Sequence, residues 1–314
     1  MACTSIAWPS HRPALRYCPD SAVGIDGTLN WIRKRADAHE LWAIGKLTRA
    51  QLASLLKALA SGTGACDAAC LWPTLRCALK QSRSQQQQDL ILLPKLLALP
   101  PRGGGSGTFL EIGAFNGVEL SNTHLLEKCF GWRGLLIEAN PRNFAALNTS
   151  TRVATKVHSA VCPGGGDGAG GSAGGGAGAT VEMTIGGSIK PEWMVTSKVV
   201  GGRTAHGDTA THGSERGSRV QTVRVPCAPL RRLMHEHGYK HMDFLSLDVE
   251  GGELDVLQTV SPSAFGLVMV EEELQVSTRA TIVGVRELLS KSGFVQPRGL
   301  RVQYNTVWES SAPR

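Results

Sequence analysis

The chain has 314 residues, 42% hydrophobic and 19% charged, enough to bury one large α/β domain with an appendage. Its net charge of +7 comes from 33 Lys+Arg against 26 Asp+Glu spread thinly, with only 5% aromatics. No nucleic-acid footprint is evident, whereas mild basicity suits an anionic ligand or partner.

No window approaches the ~18 apolar residues of a membrane span. The first residues, MACTSIAWPSHRPALRYCPD, lack the apolar stretch of a signal peptide; their arginines and hydroxyls are a weak organelle-transit signature. Residues 1–37 show little periodicity and read as an irregular or disordered tail. The eight cysteines do not read as a disulfide framework. Cys66, Cys70 and Cys77 lie together without a fourth zinc ligand, and Cys129, Cys162 and Cys227 stand in apolar contexts expected of buried thiols. A soluble, intracellular protein of a reducing compartment, cytoplasmic by default, is the expectation.

Residues 38–83 read as a small helical unit. Thr48 and Gln51 form a T-x-x-Q capping box ahead of Leu52, Leu55, Leu56 and Leu59, whose spacing predicts an amphipathic helix, and a second helix is expected over 66–80. The polar run SRSQQQQD, 82–89, leads into LILLPKLLAL, and PRGGGSG, 101–107, is a flexible connector. From 108 onward strand and helix signals alternate. TFLEIG, GLLIEANP, KVHSAVC, FLSLDV and GLVMVEEE are apolar strands, and GFVQP and VQYNTVWE close the series. Helices are expected at 122–130, around Phe144 and Leu147, around Leu254 and Leu257, and across Ile282, Val285, Leu288 and Leu289. The pattern predicts an α/β fold, a Rossmann-like, doubly wound and mainly parallel sheet with helices on both faces. The glycine-rich stretch 163–179 reads as a disordered insertion, and 201–218, with His206 and His212, as a solvated polar loop.

In such a sheet, ligands bind beyond the carboxyl ends of the strands. After the first strand, EIGAFNG offers Glu111, Gly113 and Gly117: a tight turn that lets a ligand approach the backbone. It is not a dinucleotide fingerprint, because Ala114, Phe115 and Asn116 separate the two glycines. Glu138 ends the second strand, where a carboxylate can accept both hydrogen bonds of a ribose diol, whereas Asn140 fits a helix N-cap. The end of the third strand, SAVC, suits the face of a base. FLSLDVEGGELDVL places Asp248 and Glu250 where the fourth strand leaves the sheet; Glu253 and Asp255 read as solvated first-turn acids of the next helix.

Taken in this order, FLEIGAFNG, LSNTHLLE, GWRGLLIEANP, SAVC, VPCAPL and MDFLSLDVEGGELDVL resemble the FkbM-type family of S-adenosylmethionine-dependent methyltransferases over residues 84–309. SRSQQQQDLILLP resembles the segment that often precedes that domain. The resemblance implies a seven-stranded sheet whose last strand is antiparallel. It implies a cofactor loop of Glu111, Gly113, Ala114 and Gly117, with Glu138 on the ribose and Asn140 flanking the adenosine. Ala160 and Val161 would line the adenine, and Asp248 and Glu250 would stand beside the methyl group. Asp248 and Glu250 are then the catalytic candidates, with Glu271, Glu272 and Glu273 in reserve. No metal site is expected. The implied reaction is O-directed methyl transfer to a hydroxyl of a sugar, glycan or small metabolite. The glycine insertion and the 201–218 loop depart from the pattern where the acceptor pocket should form. An inactive interaction module of the same fold and a nicotinamide-dependent oxidoreductase are the competing readings; the latter lacks the middle glycine and any Tyr-x-x-x-Lys pattern.

Overall fold

A computed structural model describes residues 25–63, 68–100, 106–163, 179–189, 194–199, 221–274 and 277–311. Most of the N-terminal tail, most of the 101–107 connector, nearly all of the glycine-rich stretch and the whole 201–218 loop, with its two histidines, lie outside the described residues.

Five helices come first: α1 (Ile25–Arg33), α2 (Ala38–Gly45), α3 (Arg49–Thr63), α4 (Ala68–Gln81) and α5 (Gln88–Ala98). The capping box is as expected. Thr48 N–H donates to Gln51 Oε1 at 2.8 Å, and Gln51 N–H to Thr48 Oγ1 at 3.2 Å, satisfying donors that the first turn leaves free. The irregular-tail reading fails over 25–33, because Ile32 at one turn of α1 buries itself in the main core and pulls the segment helical. The polar run before α5 is a clasp: the buried Asp89 carboxylate accepts from Ser82, Ser84 and the Arg83 and Leu90 amides.

The α/β part follows. Its strands and helices are β1 (Thr108–Ile112), α6 (His124–Phe130), β2 (Arg133–Glu138), α7 (Pro141–Thr149), β3 (Thr155–His158), β4 (Ala160–Val161), β5 (Thr180–Ile189), β6 (Met194–Val199), β7 (Gln221–Ala228), α8 (Leu230–Glu236), β8 (Met242–Leu247), α9 (Glu253–Leu257), β9 (Phe265–Glu271), α10 (Arg279–Lys291), β10 (Phe294–Val295) and β11 (Asn305–Ser310). Seven strands form one sheet in the order β10-β11-β9-β8-β1-β2-β3. The pairs from β3 through β9 are parallel and β11 runs antiparallel to β9, as the Rossmann-like reading expects. Alternation along the strands separates two cores. Phe109, Leu136, Phe244, Leu267 and Met269 face the N-terminal helices, α6 and α7. Leu110, Ile112, Leu135, Leu245, Leu247 and Val268 face α8, α9 and α10. The chain goes from β1 outward to β2 and β3, then returns to β8 and β9 on the other side of β1. That reversal opens the crevice at the carboxyl ends of β1 and β8.

Two corrections concern the third strand and the cysteines. KVHSAVC is not one strand: β3 ends the main sheet, while Ala160–Val161 leaves it to pair with β7 in a second sheet, β4-β7-β5-β6. The buried-thiol expectation is overturned as well. Cys77 of α4 is bonded to Cys129 of α6, and Cys162 after β4 to Cys227 of β7, each pair with Cα atoms 5.8 Å apart. Cys70 is also disulfide-bonded, and among the described residues no cysteine is free. The first bond ties the N-terminal helices to the α/β part, and the second anchors the auxiliary sheet beside the crevice.

Candidate active site

The site builds from the two loops that leave β1 and β2. Gly113 has φ of +81°, and a Cβ there would lie 1.8 Å from the Asp248 carbonyl oxygen. Only glycine lets the first loop cross so close to the exit of β8. The Gly113 and Ala114 amides both donate to Ile137 C=O, at 3.0 and 3.1 Å, folding the loop over the end of β2. Gly117, also at positive φ, closes the turn against Leu147 and Arg152.

Glu138 joins the two loops. Its carboxylate accepts from Phe115 N–H and from Asn140 N–H, both at 2.8 Å. Burial pushes its pKa up to about 7 against those hydrogen bonds. Asn140 caps α7, its Oδ1 accepting from Arg142 N–H at 2.9 Å, so the N-cap expectation holds. Its Nδ2 is different: the side chain is fully buried and this donor meets no acceptor. A buried amide without a partner is costly, so the position calls for an incoming acceptor.

Glu111 serves the fold of the loop from below. It is buried and accepts from Ser121 Oγ at 2.8 Å, Asn122 N–H at 2.7 Å and Thr123 Oγ1 at 2.7 Å. Its oxygens are therefore committed to the segment 121–123. Arg152, whose side chain has no exposure, completes this platform. It donates to Gly117 C=O at 2.6 Å, Ser121 Oγ at 3.0 Å, Thr123 Oγ1 at 2.8 Å and Glu127 at 3.1 Å. This buried cation is neutralised locally by Glu127 and Glu111. It carries no motif in the sequence, so nothing local signals it.

Across the crevice the carboxylates have few donors. Asp248 follows β8 and is open to solvent; Asp248 and Glu271, at the end of β9, are within hydrogen-bond reach of each other. Glu271 Oε2 is buried without a donor, so a proton held between the two carboxyls satisfies both. Burial and the surrounding acids, Glu250, Glu253, Glu273 and Glu111 among them, hold this pair's titration above the usual carboxylate range. Asp248 keeps part of its hydration because it faces the open cleft, so repulsion from the neighbouring acids carries much of its upward shift. Glu250 has φ of +57°, unusual for a residue with a Cβ, and burial first, then Asp248, Glu253 and Glu273, pushes its carboxyl up to about 7.

Glu253 departs from expectation. It is 1% exposed, and its carboxylate accepts from Gly251 N–H at 2.9 Å, Val249 N–H at 3.3 Å and Ser277 Oγ at 3.0 Å. It fixes the turn that presents Asp248 and Glu250, where a solvated first-turn acid had been expected. Asp255, half-buried in the same first turn, makes no comparable clasp. Of the reserve acids, Glu272 is held by Arg286 Nε at 3.0 Å and Thr306 Oγ1 at 2.6 Å, away from free chemistry. Ala160 and Val161 lie just beyond Glu138, with Ser159 N–H donating to Glu138 C=O at 3.2 Å.

No curated protein matches the chain. Among solved structures, a methyltransferase FkbM from Methylobacillus flagellatus KT is 12% identical with a TM-score of 0.35, covering 77% of this chain and 60% of that one. The present chain thus spans less than two thirds of that protein's length. The family model of the methyltransferase FkbM domain matches residues 111–295, more than half of the chain and the whole of the crevice from Glu111 to Glu271. The chain belongs to the methyltransferase FkbM domain family.

Proposed function

We propose that the chain is an S-adenosylmethionine-dependent methyltransferase, O-directed, acting on a hydroxyl of a sugar, glycan or small metabolite. One observation carries the reading: a loop turned by glycines and a diol-competent carboxylate stand at the ends of β1 and β2, with two carboxyls in hydrogen-bond reach of each other at the ends of the adjacent β8 and β9. The residues fit the cofactor. Glu138 retains lone pairs for two ribose hydroxyls, and the unpartnered Nδ2 of Asn140 offers a donor beside them. Gly113 and Gly117, at positive φ, let the loop turn tightly against Asp248 and Leu147, and Ala160 and Val161 present small apolar surface on the adenine side.

The cofactor supplies an electrophilic methyl on a sulfonium, and transfer forms an O–CH3 bond as the S–CH3 bond breaks. The protein's part is to bring the acceptor oxygen into line and to take its proton. Asp248 and Glu250 are the proposed catalytic acids. A carboxylate whose pKa is raised toward neutrality is a stronger base than an ordinary one. Negative charge here also favours the nearby sulfonium. Glu111, Arg152 and Glu253 are positioning residues, because their polar atoms are spent on backbone and loop groups.

The test is calorimetric titration of the purified chain with S-adenosylmethionine and, separately, with NAD. Binding of the first and none of the second is expected; failure to bind S-adenosylmethionine removes the proposal. As to compartment, no helix among the described residues is long and apolar enough to cross a membrane. The paired cysteines support an oxidising compartment over the reducing one expected from the sequence. Thiol alkylation of the native protein before unfolding, followed by mass measurement, should find Cys77, Cys129, Cys162 and Cys227 unmodified. Labelling of any of the four would argue against it.

A further inference from the structure

A cleft of about 440 Å³ lies at the corner where the N-terminal helices meet the carboxyl edge of the sheet. Its polar wall comes from three distant stretches of chain. Lys46 and the capping pair Thr48 and Gln51 come from the α2–α3 turn, Gln86 from the segment before α5, and Arg301 and Gln303 from the loop between β10 and β11. Val302 and Ile91 supply the apolar remainder. No Asp or Glu lines it.

Its position ties it to the acids of the crevice. Asn305, which opens β11, pairs with Glu271, and Glu272 N–H donates to Tyr304 C=O at 2.8 Å. The loop carrying Arg301 and Gln303 therefore leaves the sheet at the same edge as Asp248. From β8 to β11 is two strand spacings, about 10 Å, roughly the reach of one or two sugar rings.

The lining is rich in donors. Among the described residues Lys46 and Arg301 have no carboxylate partner, whereas Lys80, Lys95, Arg152 and Arg286 are all ion-paired. Gln51 spends its Oε1 on the Thr48 amide, which turns its NH2 group outward as a donor, and the Gln86 and Gln303 side chains have no protein partner. Two exposed aromatic side chains are near chain neighbours of lining residues. Tyr304 is 41% exposed next to Gln303, and Trp42, 52% exposed, lies one turn before Lys46, whose Nζ is 5.3 Å from its ring. Exposed aromatic rings beside amide donors offer an apolar face and hydrogen bonds together, the combination that a pyranose ring presents in return.

We infer that this cleft is a second acceptor subsite, which holds an anionic group of a saccharide while a neighbouring hydroxyl of the same molecule lies at Asp248. The inference rests on the methyl-transfer reading and deepens it by naming the acceptor class. Lys46 supplies a point charge, and Arg301 a planar fork matched to a carboxylate or sulfate. Once the sulfonium lies beside Asp248, Glu250 and Glu271 and draws off their protons, the ionised acids repel that same anionic group, so the two charge fields orient the acceptor with its neutral hydroxyl toward the methyl donor.

The experiment titrates the full chain with trigalacturonate, with sulfated maltotriose, with neutral maltotriose and with inorganic sulfate, and repeats each on K46E/R301E. The wild type should bind at least one anionic trisaccharide about tenfold more tightly than maltotriose, and the double variant should lose about tenfold or more of that affinity. Preference for the carboxylate or the sulfated probe identifies the anionic group. Equal binding of charged and neutral trisaccharides, binding of inorganic sulfate alone, no binding at all, or undiminished binding by K46E/R301E overturns the inference. Titration with S-adenosylmethionine in parallel separates the two failures. Both proteins should bind it equally. If both do while the saccharide arms fail, only the subsite is lost; if the wild type does not, the methyl-transfer reading falls instead.

Discussion

The two halves of the crevice treat their carboxylates in opposite ways. On the β1–β2 side Glu111 and Glu138 are buried and held by protein donors: three reach the first, and two backbone amides the second. On the β8–β9 side Asp248, Glu250 and Glu271 face one another, and one buried oxygen has no donor. Glu253, tucked beneath its own turn, behaves there as the first group does. Donors fix geometry; burial together with crowded like charges raises proton affinity. The first half is thus organised to hold a shape, and the second to exchange a proton.

The largest expected effect separates proton transfer from binding. D248N should lower turnover by about a hundredfold to ten-thousandfold while leaving S-adenosylmethionine affinity within about threefold. Steady-state rates alongside calorimetry read both quantities, and an unchanged turnover would move the base to Glu250. Next comes the contact that joins the halves. G113A would place a methyl group 1.8 Å from the Asp248 carbonyl at a φ of +81°, so stability should fall by ~3 kcal/mol or more in a denaturant titration. A loss below ~1 kcal/mol would mean that the β1 loop and the β8 exit move apart freely.

Much of this was legible in the sequence, and the losses have physical reasons. Apolar runs such as FLEIG and FLSL announce buried parallel strands because both faces of the sheet are covered, and each lies where expected. Gly113, Glu138, Asn140 and Asp248 fall at strand ends, so strand order alone brings them together. Glu253 was misread because an acid in a first helical turn normally faces water. Here α9 is so short that its first turn lies under the loop it follows. Arg152 gave no signal, since its partners come from four separate positions upstream. The disulfides join residues 52 and 65 positions apart, and apolar surroundings look the same for a thiol and for half a cystine. The auxiliary sheet had a detectable cue: the alternation in TVEMTI and in QTVRV was present but overshadowed by the glycine-rich stretch between the third strand and that sheet.

A smaller effect examines the donor-rich half. E138Q keeps the shape of the side chain but swaps one accepting oxygen for an amide donor, which must face either Phe115 N–H or Asn140 N–H. Cofactor affinity should drop about tenfold and stability by about 1–2 kcal/mol, both falling together because one group serves both ends. Loss of affinity with stability intact would show that Glu138 contributes to the ligand alone.

The smallest effect reads the donor-poor half through pH. In the protein without cofactor, Glu250 and the Asp248–Glu271 pair hold protons above the usual carboxylate range, so the folded state binds more protons than the unfolded chain near neutrality. Their contribution to stability is complete below the ordinary carboxylate value of 4.5 and is lost as pH rises through about 7 for Glu250 and higher for Glu271. Glu138, raised to about 7, adds a loss of the same sign. The unfolding midpoint should therefore fall between about pH 5 and about pH 9, and E271Q should reduce that fall by removing one of the acids whose pKa is raised. The same protons must leave when a sulfonium comes to lie beside these acids, because a nearby positive charge favours their ionised forms. Calorimetric titration near neutral pH in buffers of different ionisation enthalpy should then show net proton release on S-adenosylmethionine binding, smaller in E271Q than in the wild type. Equal release in the two proteins would place the titrating protons on Glu138 and Glu250 and leave Glu271 without a part in the exchange.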